Sequence, residues 1–122
     1  MRIFKNKWFA KFASKEGISD EKLIQAVREA EAGNIDADYG GGVIKQRIAR
    51  LKEGKSGGYR SIIIYRKGNR AFFVYGFAKN VLANIDNADV KGFKKLAKVM
   101  LDLTDEELKT LLKNKEIEEV ES

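Results

Sequence analysis

The stretch GYRSIIIYRKGNRAFFVYGFA, residues 58–78, decides the fold of this chain. Its first half, Ser61 to Tyr65, is β-branched and aromatic. Its second half, Ala71 to Phe77, carries four aromatic residues. Both are strand compositions. Between them, Lys67-Gly68-Asn69-Arg70 reads as a tight hairpin, because Gly-Asn suits a two-residue turn. With Lys67 opposite Arg70, Arg60 falls opposite Phe77, and Lys79 lies two residues further along the same face.

Upstream, Val43 to Ala49 alternates loosely between apolar and polar residues and predicts a third strand. The connection Leu51 to Gly58 (LKEGKSGG) reads as a flexible loop that carries Lys52 and Lys55 over the sheet. Gly40-Gly41-Gly42 reads as a flexible break before the strands. Further back, Arg2 to Lys5 suits a short first strand. Trp8, Phe9 and Phe12 share a helical face read as core, and Gly17 ends that helix. Ser19 is an N-cap residue, Asp20 and Glu21 occupy the first turn where the helix dipole favours acids, and Ile18 and Leu23 stand at staple positions. Leu23, Ile24 and Val27, with Ala26 and Ala30, form the buried stripe, which Gly33 or Asn34 stops.

Downstream, Phe93, Leu96, Ala97, Met100 and Leu101 recur at helical spacing. Thr104-Asp-Glu-Glu107 is a capping box ahead of a last helix with Leu108, Leu111 and Leu112 on one stripe. The acidic tail from Glu116 is expected to fray. The expected fold is α+β: a small, mainly antiparallel sheet with flanking N- and C-terminal helices, in the order (β)ααβββαα. Residues 1–104 carry the main body, and 105–122 form a C-terminal helical extension with an acidic tail, within a single domain of 122 residues.

The chain has neither cysteine nor histidine. Disulfides, thiolate nucleophiles, Cys-based metal sites and imidazole acid–base chemistry are excluded. The acids Asp36, Asp38, Asp86 and Asp89 read as caps and solvated loop residues, so neither a metal nor another cofactor is expected. Gly54-Lys-Ser lacks the upstream glycine of a phosphate-binding P-loop and precedes a strand, so a nucleotide site is rejected. No apolar run approaches the length of a membrane span, and the charged N-terminus lacks the pattern of a signal peptide. A cytoplasmic protein without a membrane partner is therefore expected.

Net charge is +6, but residues 43–80 hold ten basic side chains against one acid, Glu53. A polyanionic partner fits such clustering; an ordinary solvated surface is the plainer reading. If the Leu51–Gly58 loop joins antiparallel neighbours near Arg50 and Tyr59, then Lys45, Arg47, Arg60 and Lys79 converge on one sheet face, with Tyr75 beside them as a base-stacking candidate and Lys55 within reach. Phe72 reads as core. Arginine grips two phosphate oxygens, and a lysine crowded by cations loses its proton more readily. Such a set suits removal of a 2′-hydroxyl proton while Arg60 stabilises charge on the phosphate, chemistry that only RNA permits. Phosphate binding without cleavage uses the same residues.

At Gly54-Lys-Ser-Gly-Gly-Tyr-Arg60, Ile62-Ile-Ile-Tyr65 and Phe73-Val-Tyr-Gly-Phe-Ala-Lys79-Asn80, the chain resembles the RelE/HigB-like toxins of bacterial type II toxin–antitoxin systems. Phe4-Lys-Asn-Lys-Trp-Phe-Ala-Lys-Phe and Gly40-Gly-Gly-Val-Ile-Lys-Gln-Arg47 extend the resemblance over roughly Arg2 to Met100. It implies a sheet wrapped by helices, ribosome-dependent cleavage of messenger RNA, and a cognate antitoxin that covers or distorts the basic face. By position it implies catalytic roles for Arg60 and Lys79, with Lys55 and Tyr75 nearby. RNA contacts would come from Lys45, Arg47, Arg50, Lys52 and Asn80. Asn80 stands where relatives often have arginine, Val81 and Leu82 replace charged residues, and Asp86 falls near the position of a terminal tyrosine. The general acid and base are therefore unassigned. A ParE-like gyrase inhibitor and a non-catalytic RNA or ribosome binder are the alternative functions.

Overall fold

The computed structural model of the chain describes residues 1–50, 54–78 and 85–121, with the side chains of residues 50 and 54–57 outside the description. Its elements run β1 (Arg2–Asn6), α1 (Lys7–Glu16), α2 (Asp20–Glu31), β2 (Ala37–Gly40), β3 (Val43–Arg50), β4 (Gly54–Arg66), β5 (Arg70–Ala78), α3 (Asn87–Leu101), α4 (Asp105–Lys113) and β6 (Ile117–Glu119). One sheet takes the order β2-β3-β4-β5-β1-β6. Every neighbouring pair is antiparallel except β1 with β5. The α+β expectation holds, and the sheet gains two strands that the sequence reading lacked.

The first extra strand is β2. Gly40-Gly41-Gly42 is not a loose break: Gly40 pairs with Val43, and Gly41 and Gly42 turn the chain at φ +63° and +84°. Two successive positive φ angles make the turn that matches strand twist in a two-residue hairpin. Gly42 has a second constraint, since a Cβ there would lie 2.6 Å from Leu101 Cδ1. The second extra strand is β6. The acidic end pairs antiparallel with β1 instead of fraying, and Val120 N–H donates to Ile3 O at 2.8 Å. Ile117 and Val120 are buried there, and Arg2 Nε meets Glu119 at 3.0 Å. Burial of two apolar residues and pairing of an open strand edge outweigh the local charge.

The expected hairpin is also different in detail. Arg66, not Lys67, pairs with Arg70, so the connection is three residues long. The register then shifts between Ile62 and Ile63, where Phe73, Val74 and Tyr75 face two residues of β4. Such a bulge puts two consecutive side chains on one face. Val74 and Tyr75 accordingly both join the cluster under α3 and α4, while Phe73 joins the cluster under α1 and α2. The longer turn and the bulge offset each other, so Arg60 does stand opposite Phe77.

Each sheet face is covered by one helix pair. Phe9, Leu23, Val27, Ile44, Ile48, Tyr59, Ile63 and Phe73 fill the first interior. Phe4, Ile62, Ile64, Phe72, Ala97, Met100, Leu101 and Leu108 fill the second. Leu96, expected in the α3 stripe, is 38% exposed. Trp8 is likewise not core: it is 45% exposed and stacks on Tyr75 with ring centroids 4.6 Å apart. Ser19 is the N-cap of α2 by position but makes no side-chain capping bond.

The α4 capping box forms as the sequence predicts, with Thr104 N–H donating to Glu107 Oε1 at 2.9 Å and Glu107 N–H donating to Thr104 Oγ1 at 3.1 Å. The Thr104 backbone N–H, and then its hydroxyl, hold the Glu107 carboxyl below its ordinary value. A folded-state value below the unfolded one stabilises α4 above the ordinary carboxyl range, and that contribution is lost as pH falls through the folded value. Thr104→Ala is expected to move the Glu107 midpoint upward in an NMR titration. The backbone N–H survives this change, so the rise is partial, and an unchanged midpoint contradicts the hydroxyl's share of the cap.

Candidate functional site

The site is built on β3, β4 and β5, on the face that α3 and α4 cover only in part. Cross-strand pairing lays out two adjacent rows: Lys45–Ile62–Tyr75 and Arg47–Arg60–Phe77. Residues directly opposite point to the same face. The structure thus brings Lys45, Arg47, Arg60 and Tyr75 onto one face, as expected, but by a different β3–β4 register: Tyr59 pairs with Ile48 and not Arg50, and a shift of two residues keeps every side chain on its face. Arg47 is exposed, whereas the Arg60 side chain is only 10% exposed.

The Gly-Tyr-Arg segment positions Arg60 through its neighbours. A Cβ on Gly58 would lie 2.5 Å from the backbone oxygen of Ile48, so the close approach of β4 to β3 there admits only glycine. Tyr59 points to the opposite face, where its hydroxyl donates to Glu16 Oε1 at 2.9 Å and its ring meets Phe12 edge-on. Alternation then turns Arg60 to the α3 face. Arg60 Nη1 donates to Tyr59 O at 3.4 Å.

Arg47 and Arg60 stand directly opposite each other, an unfavourable placement of like charges. A carboxylate offsets it. Asp36 Oδ2 lies 3.2 Å from Arg60 Nε and 3.7 Å from Lys45 Nζ. Asp36, by sequence a solvated loop acid, is instead a partner of both cations. The signal was the glycine turn: read as a hairpin, it sets Ala37 opposite Lys45 and so carries Asp36 to the cations. Of the other acids, Asp86 caps α3 and Asp38 Oδ1 accepts from Gly40 N–H, as expected. A cleft of about 650 Å³ opens beside Asp36, Arg47 and Arg60, walled by Lys22 and Ala26 of α2 and by Ile48.

Tyr75 belongs to an aromatic layer, between Trp8 at 4.6 Å and Phe93 of α3 at 6.1 Å. Lys55 lies within β4 and not on a flexible loop, since Gly54 already pairs with Arg50. That pairing forms because β4 extends to meet the end of β3, which leaves only residues 51–53 between the two strands. Lys52, Lys79 and Asn80 lie outside the described residues, and Lys55 and Arg50 are described by backbone alone.

Fold and site together define a small α+β protein with a cation-lined sheet end and one embedded carboxylate. The family model for the RelE toxin of the RelE / RelB toxin-antitoxin system matches residues 1–120. The chain belongs to that family of toxins, whose members act within toxin–antitoxin systems, and an antitoxin is the partner the family implies. A search among curated proteins finds no match. No helix among the described residues is long and apolar enough to cross a membrane.

Proposed function

We propose that this toxin is an endoribonuclease that cleaves messenger RNA on the ribosome without a metal, using the cations of β3 and β4. The observation that carries the reading is the placement of Lys45, Arg47 and Arg60 on one face in a chain of the RelE family. The 2′-hydroxyl attacks the adjacent phosphorus and gives up its proton to a basic side chain of the face. The new 2′-O–P bond forms as the P–O5′ bond breaks, and the leaving oxygen takes a proton. Arg60 and Lys45 balance the charge that grows on the phosphate oxygens, a role that electrostatic preorganisation makes large. Arg47 grips a neighbouring phosphate, and Tyr75, beside Trp8, presents an aromatic edge to the flanking bases. Lys79, Lys55, Lys52, Arg50 and Asn80 extend the same contacts in this reading. The antitoxin shields these cations in the resting complex.

Induced expression of the chain without its antitoxin tests the reading. Growth arrest is expected, with new 5′ ends within translated messages by primer extension. DNA breaks with intact messages indicate gyrase as the target instead. Salt-sensitive ribosome binding without new ends indicates a non-catalytic binder.

A further inference from the structure

Asp36 is the one acid that meets the site cations among the described residues, and its position is built, not incidental. Its backbone N–H donates to Gln46 Oε1 at 3.1 Å. Gln46 is 3% exposed, and its Nε2 donates to Ala26 O at 3.0 Å and to Asn34 O at 2.9 Å. A buried and fully engaged amide therefore pins the backbone of Asp36 to β3, to the middle of α2 at Ala26 and to the segment after it at Asn34. From that anchor the carboxylate spans Arg60 and Lys45 with one oxygen.

A carboxylate and a phosphodiester present the same feature to a guanidinium: two oxygens sharing a negative charge. Arg60 and Lys45 are the groups a phosphate would take in the reading above, and Asp36 already holds both. We infer that Asp36 is a tethered counter-anion that occupies the phosphate subsite of Arg60 and Lys45 and is displaced by an RNA phosphodiester. This inference rests on the reading of the face as an RNA site. In the free protein the carboxylate offsets the repulsion between Arg47 and Arg60. On binding it rotates away at the side chain, because its backbone is fixed, and it then repels the incoming phosphate. Single small anions gain too little to displace it. A polynucleotide first held at exposed Arg47 gains enough, so the device selects polyanions over free phosphate.

The test uses the full chain and two isosteric variants, Asp36→Asn and Asp38→Asn. Both remove one negative charge from the same segment, but Asp38 accepts from Gly40 N–H and pairs with no cation among the described residues. The probe is a fluorescein-labelled single-stranded RNA, 2′-O-methylated throughout so that it cannot be cleaved, followed by anisotropy at low salt. Asp36→Asn is expected to bind about tenfold tighter than the unaltered chain, the effect of removing one like charge at close range in a partly buried site. Asp38→Asn is expected to stay within about twofold, since solvent and salt screen the more distant charge. Unchanged or weaker binding by Asp36→Asn overturns the inference and leaves the RNA reading standing. An equal gain in both variants also overturns it, because net charge alone then explains the result. Absence of binding in all three removes the RNA reading and the inference with it. If Asp36→Asn melts early, inorganic phosphate is expected to restore its melting temperature by taking the vacated place, with no such rise for Asp38→Asn. Failure of phosphate to do so counts against the counter-anion.

Discussion

Arg60→Lys is expected to lower RNA cleavage by about 100-fold, the loss seen when a preorganised charge-stabilising donor is removed from an active site. The change keeps the positive charge beside Asp36 and removes the planar fork. Arg60 is held from two directions, by Asp36 at Nε and by Tyr59 O at Nη1, and its side chain is only 10% exposed. A lysine reaches the same carboxylate as a point charge but cannot grip two phosphate oxygens at once. The fold should tolerate the exchange, because Arg60 lies opposite Arg47 and any cation there meets the same repulsion. Single-turnover cleavage of ribosome-bound message gives the rate, and circular dichroism melting gives the stability. Wild-type cleavage by Arg60→Lys would remove Arg60 from the mechanism.

Phe72→Ala is expected to destabilise the chain by about 3–5 kcal/mol, the usual cost of deleting a buried phenylalanine ring. Phe72 is fully buried and pairs with Phe4 across the one parallel junction of the sheet, with ring centroids 5.0 Å apart. Truncation opens a cavity between β5, β1 and the helices α3 and α4, and Phe4 loses its stacking partner. Such a loss is comparable to the total stability of a small domain, about 5–15 kcal/mol. The melting temperature should fall by about 10–20 °C, measured by calorimetry with the chain free of antitoxin. A fall of less than about 3 °C would show that the second interior collapses around the gap far better than its packing implies.

Much of the scaffold was legible because its signals are local. The end of α1 at Gly17, the buried stripe of α2 and the capping box of α4 each depend on residues within one turn of each other. The strand pair around Gly68 was legible for the same reason. The placement of Arg60 opposite Phe77 was reached by a register that is wrong in two places. A turn one residue longer and a bulge at Val74 compensate, and neither has a local signature in Phe72-Phe73-Val74-Tyr75. Trp8 shows the opposite failure. Its spacing with Phe9 and Phe12 suits a buried face, yet Trp8 stands in the first turn of α1, directly after β1 ends, where it stacks on Tyr75 and stays exposed.

The sequence by itself determined the chemistry available to this toxin. With no cysteine and no histidine, its site must work with cations, carboxylates, phenols and aliphatic hydroxyls. It also determined which segment supplies them, since ten of the basic residues lie within positions 43–80. Tertiary structure alone decided how those charges are balanced. The glycine turn brings Asp36 to Lys45 and Arg60, and buried Gln46 holds it there across a separation of ten residues. It also decided that the acidic end adds an edge strand beside β1, because the open edge of β1 and the burial of Ile117 and Val120 outweigh a local charge pattern that favours solvent. Both outcomes depend on partners far apart in the chain, and residue type at a single position carries no information about which partner will arrive.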